Sequence, residues 1–210
     1  MSGDQHDLLR GSSPAAILVR LTVASVLLLP LALLAKPIAI ELFPLYRMVF
    51  ELISGDFRIL YLGLSYEGAD SVIRMDVTLS RTIAVAGHLV VANPQGIANV
   101  TTMVGNIFQP VMVGLIAILG WPSGSWRIVL LRLIILLLLA LIETVLDIPL
   151  LLAGELRELF LDNLSPGNWS ALTVWADFLQ GGGRFAMGLV AAITSIAASG
   201  YAEKLWGDLK

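Results

Sequence analysis

The chain contains no cysteine. Disulfides, thiolate metal sites, iron–sulfur clusters and every cysteine nucleophile are excluded together. Charge is scarce too: Asp, Glu, Lys and Arg make up 14% of the 210 residues, against roughly a quarter in soluble domains. The formal net charge of −3 is too small to argue for nucleic acid or any strongly charged partner. Histidine occurs twice, as His6 in a polar tail and His88 beside Gly87. Two isolated histidines without neighbouring acids make no metal site. No serine sits in a nucleophile elbow. Gly181-Gly182-Gly183-Arg184 lacks the Lys-Ser/Thr continuation of a phosphate cradle and reads as a hinge or a helix start. The residues supply no metal, no cofactor and no catalytic constellation, so the expected class is a non-enzyme.

What the chain has is apolar surface. Hydrophobic residues make up 57% of it, and its mean hydropathy is +0.86. With so little charge to cover a water-facing exterior, the solvent it needs is lipid. The expected fold is mainly α and integral to a membrane, with about four transmembrane helices and a small external β-meander between the first two.

Polar residues 1–14 end in Ser12-Ser13-Pro14, a capping hydroxyl followed by proline in a first helical turn. Residues 15–35 form the first span, interrupted only by Arg20 and Pro30; at 1.5 Å per residue they cover about 31 Å, a hydrocarbon thickness. Arg20 is near enough to one end to snorkel. A cleaved signal peptide is the competing reading, but 32–35 offers no Ala-x-Ala site. Lys36-Pro37 marks an exit into an external segment, 36–101. Within it, 38–54 reads as an interfacial helix with Arg47 and Glu51 one turn apart. Residues 71–80 alternate polar Arg74, Asp76, Thr78 and Ser80 with Ile73, Met75, Val77 and Leu79, the period of a half-buried strand. Residues 58–64 and 82–91 are the other two strands of the meander. Asn99-Val100-Thr101 matches a glycosylation sequon that abuts the next span.

The second span, 102–121, contains Asn106, Gln109 and Pro110 and is therefore expected among other helices. A turn at 122–125 lies between Trp121 and Trp126, placed like an aromatic belt. The third span, 126–154, has an unbroken apolar centre at 133–142, then Glu143 and Asp147. Residues 155–184 form a second external segment, with short amphipathic helices at 155–161 and 169–179 and a turn at 165–168. The fourth span, 185–201, is followed by the tail 202–210. Its Gly188, Ala191, Ala192, Ser195 and Ser199 form small-xxx-small ladders, a helix-packing face. Arg127, Arg132, Lys204 and Lys210 place both termini and the 122–125 turn in the cytoplasm by the positive-inside tendency. The localisation this implies is a bacterial inner membrane, multi-pass.

Glu143 and Asp147 are the sharpest candidates for chemistry, because acids inside a membrane are expensive to keep. They could share a proton, bind a cation or pair with Arg184. Structural pairing is the weightier reading, with Asn106 and Gln109 as interhelical hydrogen-bond donors. Arg132 lies eleven residues before Glu143 and cannot touch it within one helix, being about 16 Å away.

Two segments, Leu42-Phe43-Pro44-Leu45-Tyr46-Arg47 and Trp175-Ala176-Asp177-Phe178-Leu179-Gln180-Gly181-Gly182-Gly183-Arg184, together with the order of spans, resemble the small bacterial membrane proteins that accompany exosortase H in protein sorting. Exosortases are multi-span proteins proposed to cut and transfer C-terminal sorting signals through a cysteine. A chain without cysteine is not that catalyst. The resemblance implies a non-catalytic accessory subunit that binds another membrane protein, an exosortase, and it carries over no catalytic residue. The span-four ladder and the external strands are the expected contact surfaces. A small transporter or ion-coupled carrier using Glu143 and Asp147 is the alternative.

Overall fold

A computed structural model describes residues 14–208 except 86, 94, 124 and 165–169. His6, the Ser12-Ser13 cap and the 165–168 turn lie outside the described residues. The fold is mostly helical, with a small antiparallel sheet, and divides into two compact units. The helical unit comprises Met1–Leu33, Phe108–Ile142 and Arg184–Lys210; the mixed unit comprises Leu34–Ile107 and Glu143–Gly183.

Helix α1 (Pro14–Leu28) runs into a 3₁₀ segment, Leu29–Leu34, and then into α2 (Ala35–Ile53). Pro30 has no N–H to donate, and the chain tightens around it without leaving the helical path. Lys36-Pro37 is thus a correction: Pro37 falls in the first turn of α2, where a missing donor costs nothing. Arg47 and Glu51 pair at 3.0 Å on the exposed side of α2, as their spacing predicts.

In the mixed unit, β1 (Phe57–Glu67) and β2 (Asp70–Leu79) form a hairpin closed by Gly68 and Ala69. Gly68 takes φ +62, a conformation that tight hairpin turns demand and glycine adopts freely. The alternation in β2 sorts its faces, and Ile73, Met75 and Val77 are fully buried. Arg74 donates to both oxygens of Asp76 at 2.8 and 3.1 Å; that hydrogen bond raises the Arg74 pKa still further. The third strand of the sheet is not 82–91. Those residues fold into a separate two-stranded hairpin, β3 (Ile83–Val85) with β4 (His88–Val90). The strand that pairs with β2 is β5 (Ala98–Met103), giving the order β1-β2-β5.

That pairing also corrects the start of the second span. Val100, Thr101 and Thr102 are β-branched and complete the sheet, a 3₁₀ turn follows at Val104–Phe108, and α3 runs only over Gln109–Gly120. Pro110 in its first turn sets that start. Twelve residues rise about 18 Å. Downstream, the expected third span and the short 155–161 helix are one element, α4 (Trp126–Leu164), 39 residues and about 58 Å long. Gly154 does not break it, because its missing side chain admits the backbone of α5 (Ala171–Phe178): a Cβ there would stand 2.5 Å from the Leu172 carbonyl oxygen. Ser170 caps α5, accepting from Thr173 N at 3.2 Å while Thr173 Oγ1 accepts from Ser170 N at 2.8 Å. A π-turn, Leu179–Gly183, with Gly182 at φ +102, leads into α6 (Arg184–Asp208).

Among the described residues three helical segments, Pro14–Ile53, Trp126–Leu164 and Ala171–Lys204, are long and apolar enough to cross a membrane; Val104–Gly120 is apolar but shorter.

Candidate functional site

The polar residues singled out from the sequence fall into both units. Glu143 and Asp147 lie one turn apart on α4 in the mixed unit, 9% and 3% exposed. Tyr46 of α2, also fully buried, is within electrostatic reach of Asp147. Among the described residues, Glu143 Oε1 and the Tyr46 hydroxyl have no hydrogen-bond partner. A buried acceptor and a buried hydroxyl left open this way are unusual, since most such atoms are satisfied. Asn106 donates to Thr102 Oγ1 at 3.2 Å, four residues back and within the same unit. Gln109 opens α3 and the buried Arg184 opens α6, both in the helical unit. Among the described residues no three His, Asp or Glu side chains are grouped as a metal ion would need.

The small-residue face of α6 is filled from within the chain. A Cβ on Gly188 would stand 2.9 Å from Pro110 Cα, so α3 meets α6 backbone to backbone. Ala191 and Ala192 are buried with Ile118 and Leu136. Ser195 Oγ donates to the Ala191 carbonyl at 2.7 Å. Ser199 Oγ accepts from Arg132 Nε at 3.0 Å and donates to the Ile196 carbonyl at 2.8 Å. Within the chain, α3 and α4 pack against this ladder, the face expected to meet a partner. Sequence reasoning missed the Arg132–Ser199 pair, although an arginine six residues into an apolar helix and a serine on a packing face were the available signals.

It also missed two open cavities in the mixed unit. One, about 350 Å³, is lined by Glu67, Asp70, Thr101, Thr102 and Met103 of β5, Glu155 and Gln180. Gln180 Nε2 donates to Glu155 Oε1 at 2.8 Å. The other, about 430 Å³, is lined chiefly by apolar groups, among them Phe57, Val77, Ile97, Leu159 and Phe160. Phe57 and Phe160 meet there with ring centroids 5.6 Å apart. No signal in the sequence could find these cavities, because β5 was not legible as a strand.

No protein-family model, curated protein or solved structure matches this chain.

Proposed function

We propose that this chain is a multi-pass accessory protein of a bacterial inner membrane, non-catalytic, whose extramembrane segments bind another membrane protein. The membrane reading rests on the exposed face of α4. Trp126, Leu130, Ile134, Leu138, Ile142 and Leu146 are all open to the surroundings. The stretch from Trp126 to Leu146 rises about 31 Å, the thickness of a hydrocarbon core. Beyond it α4 is enclosed as far as Leu156, with Ile148, Leu151, Leu152 and Leu156 fully buried. In this placement 36–101 and 155–184 lie outside, and the termini and the 122–125 turn are cytoplasmic by the charge of Arg127, Arg132 and Lys204.

The observation that carries the binding role is apolar surface exposed on the mixed unit. Leu159 is exposed 13 residues past Leu146, about 20 Å beyond the belt. Leu89, Val91 and Ile97 are exposed on the strand-bearing segment, and Leu52 on α2 is 86% exposed. Such patches mark protein contacts. The likeness to exosortase-associated proteins makes an exosortase the proposed partner. Alkaline phosphatase fusions test the layout: activity at Gly68 with silence at Ser123 is expected, and the reverse pattern would invert the proposal. A photo-crosslinking residue at Leu52 should capture a membrane protein in native membranes.

A carrier function is the second reading, favoured by the buried Glu143 carboxylate oxygen without a hydrogen-bond partner among the described residues. It requires that Glu143→Gln with Asp147→Asn abolish cation or proton flux in proteoliposomes while leaving folding intact. Loss of assembly alone would make the acids structural.

A further inference from the structure

The two cavities lie end to end along one strand. β5 is an edge of its sheet, paired with β2 on one side only. Its last residues, Thr101, Thr102 and Met103, line the first cavity, and its first residues, Ala98 and Asn99, line the second; Val100 alone separates them. α4 contributes to both, through Leu151 and Glu155 at one end and Leu159 and Phe160 at the other. Six residues of strand extend about 20 Å.

The ends differ in chemistry. The first holds Glu67, Asp70 and Glu155 and no lysine or arginine. The second is apolar, and at its mouth Ile97 is 63% exposed. An edge strand presents a row of backbone donors and acceptors that pair readily with an extended chain, while flanking pockets select its side chains. Lipid does not fit as the occupant, because Leu159 lies too far past the α4 belt and three carboxylates repel an anionic surface.

We propose that β5 and its two cavities receive an extended segment of a partner polypeptide, with basic side chains at the Glu67/Asp70/Glu155 end and apolar side chains at the Ile97/Leu159/Phe160 end. This rests on the accessory reading above and names the surface through which it operates. Backbone pairing along β5 supplies affinity, and the charge at one end sets the direction in which the segment lies.

The full chain in nanodiscs, titrated with fluorescein-labelled eight-residue peptides, tests this. The peptides alternate valine and threonine and carry two arginines at the first positions, two arginines at the last positions, or two aspartates at either end. One arginine peptide should bind, and which one binds reports whether the segment runs parallel or antiparallel to β5. Glu67→Gln with Asp70→Asn and Glu155→Gln should weaken that binding about tenfold. Ile97→Asp should weaken it as well, and raising sodium chloride on the unaltered protein should reproduce the charge effect without any substitution. Equal binding of the aspartate peptides, binding indifferent to salt, or no binding by any peptide would overturn the proposal. So would a change in oligomeric state with Ile97→Asp alone, which would make the occupant a second copy of the chain. Photo-crosslinkers at Ile97 and Leu52 in native membranes separate the two levels. A partner caught at Leu52 but not Ile97 removes the groove and leaves the accessory role, whereas capture at neither removes both.

Discussion

Placing one methyl group on Gly188 tests the packing of α6 on α3. The added Cβ would lie 2.9 Å from Pro110 Cα and 3.0 Å from its carbonyl carbon, where carbon atoms sit comfortably at about 3.5–4.0 Å. Both obstacles are backbone, so no rotamer change relieves them, and the helices must part. Overpacking of this kind costs about 1–3 kcal/mol. Alanine also favours a helix over glycine by up to about 1 kcal/mol, which offsets part of the clash. Gly200 lies in the same helix with nothing within 4 Å of an added Cβ, so Gly200→Ala keeps the propensity gain with no clash. The two variants should differ by roughly 1–3 kcal/mol, Gly188→Ala below the unaltered protein or level with it and Gly200→Ala above it. Denaturation of the micelle-folded protein with sodium dodecyl sulfate, followed by circular dichroism, reads the difference. If Gly188→Ala is as stable as Gly200→Ala, α3 and α6 do not meet at this glycine and the account of the ladder fails.

Gly154→Ala should destabilise the mixed unit by about 1–3 kcal/mol, since its Cβ would press on the Leu172 carbonyl oxygen and stand 2.7 Å from Ala176 Cβ; faster hydrogen exchange in α5 is the readout. Ser199→Ala removes the acceptor of the buried Arg132 Nε. A hydrogen bond to a charged group is worth about 1.5–3 kcal/mol, so denaturant resistance should fall by that order, and Ser199→Thr should restore most of it.

Residue type and period carried some elements plainly. The β1-β2 hairpin was legible because Ile73, Met75, Val77 and Leu79 alternate with polar partners and Gly68 supplies the turn. The Arg47–Glu51 pair was legible from spacing alone. β5 was hidden because Val100, Thr101 and Thr102 adjoin the apolar residues of α3, and hydropathy joins a strand to a helix when both are apolar. Only the sheet, which needs a third strand on β2, separates them. The length of α4 was hidden for a different reason. Gly154 reads as a breaker in isolation, yet it sits where α5 comes too close for any side chain, and that is a tertiary fact. Glu143 and Asp147 stood out as acids at the end of an apolar run, whereas the buried Tyr46 gave no signal beyond its place on the inner side of an amphipathic helix.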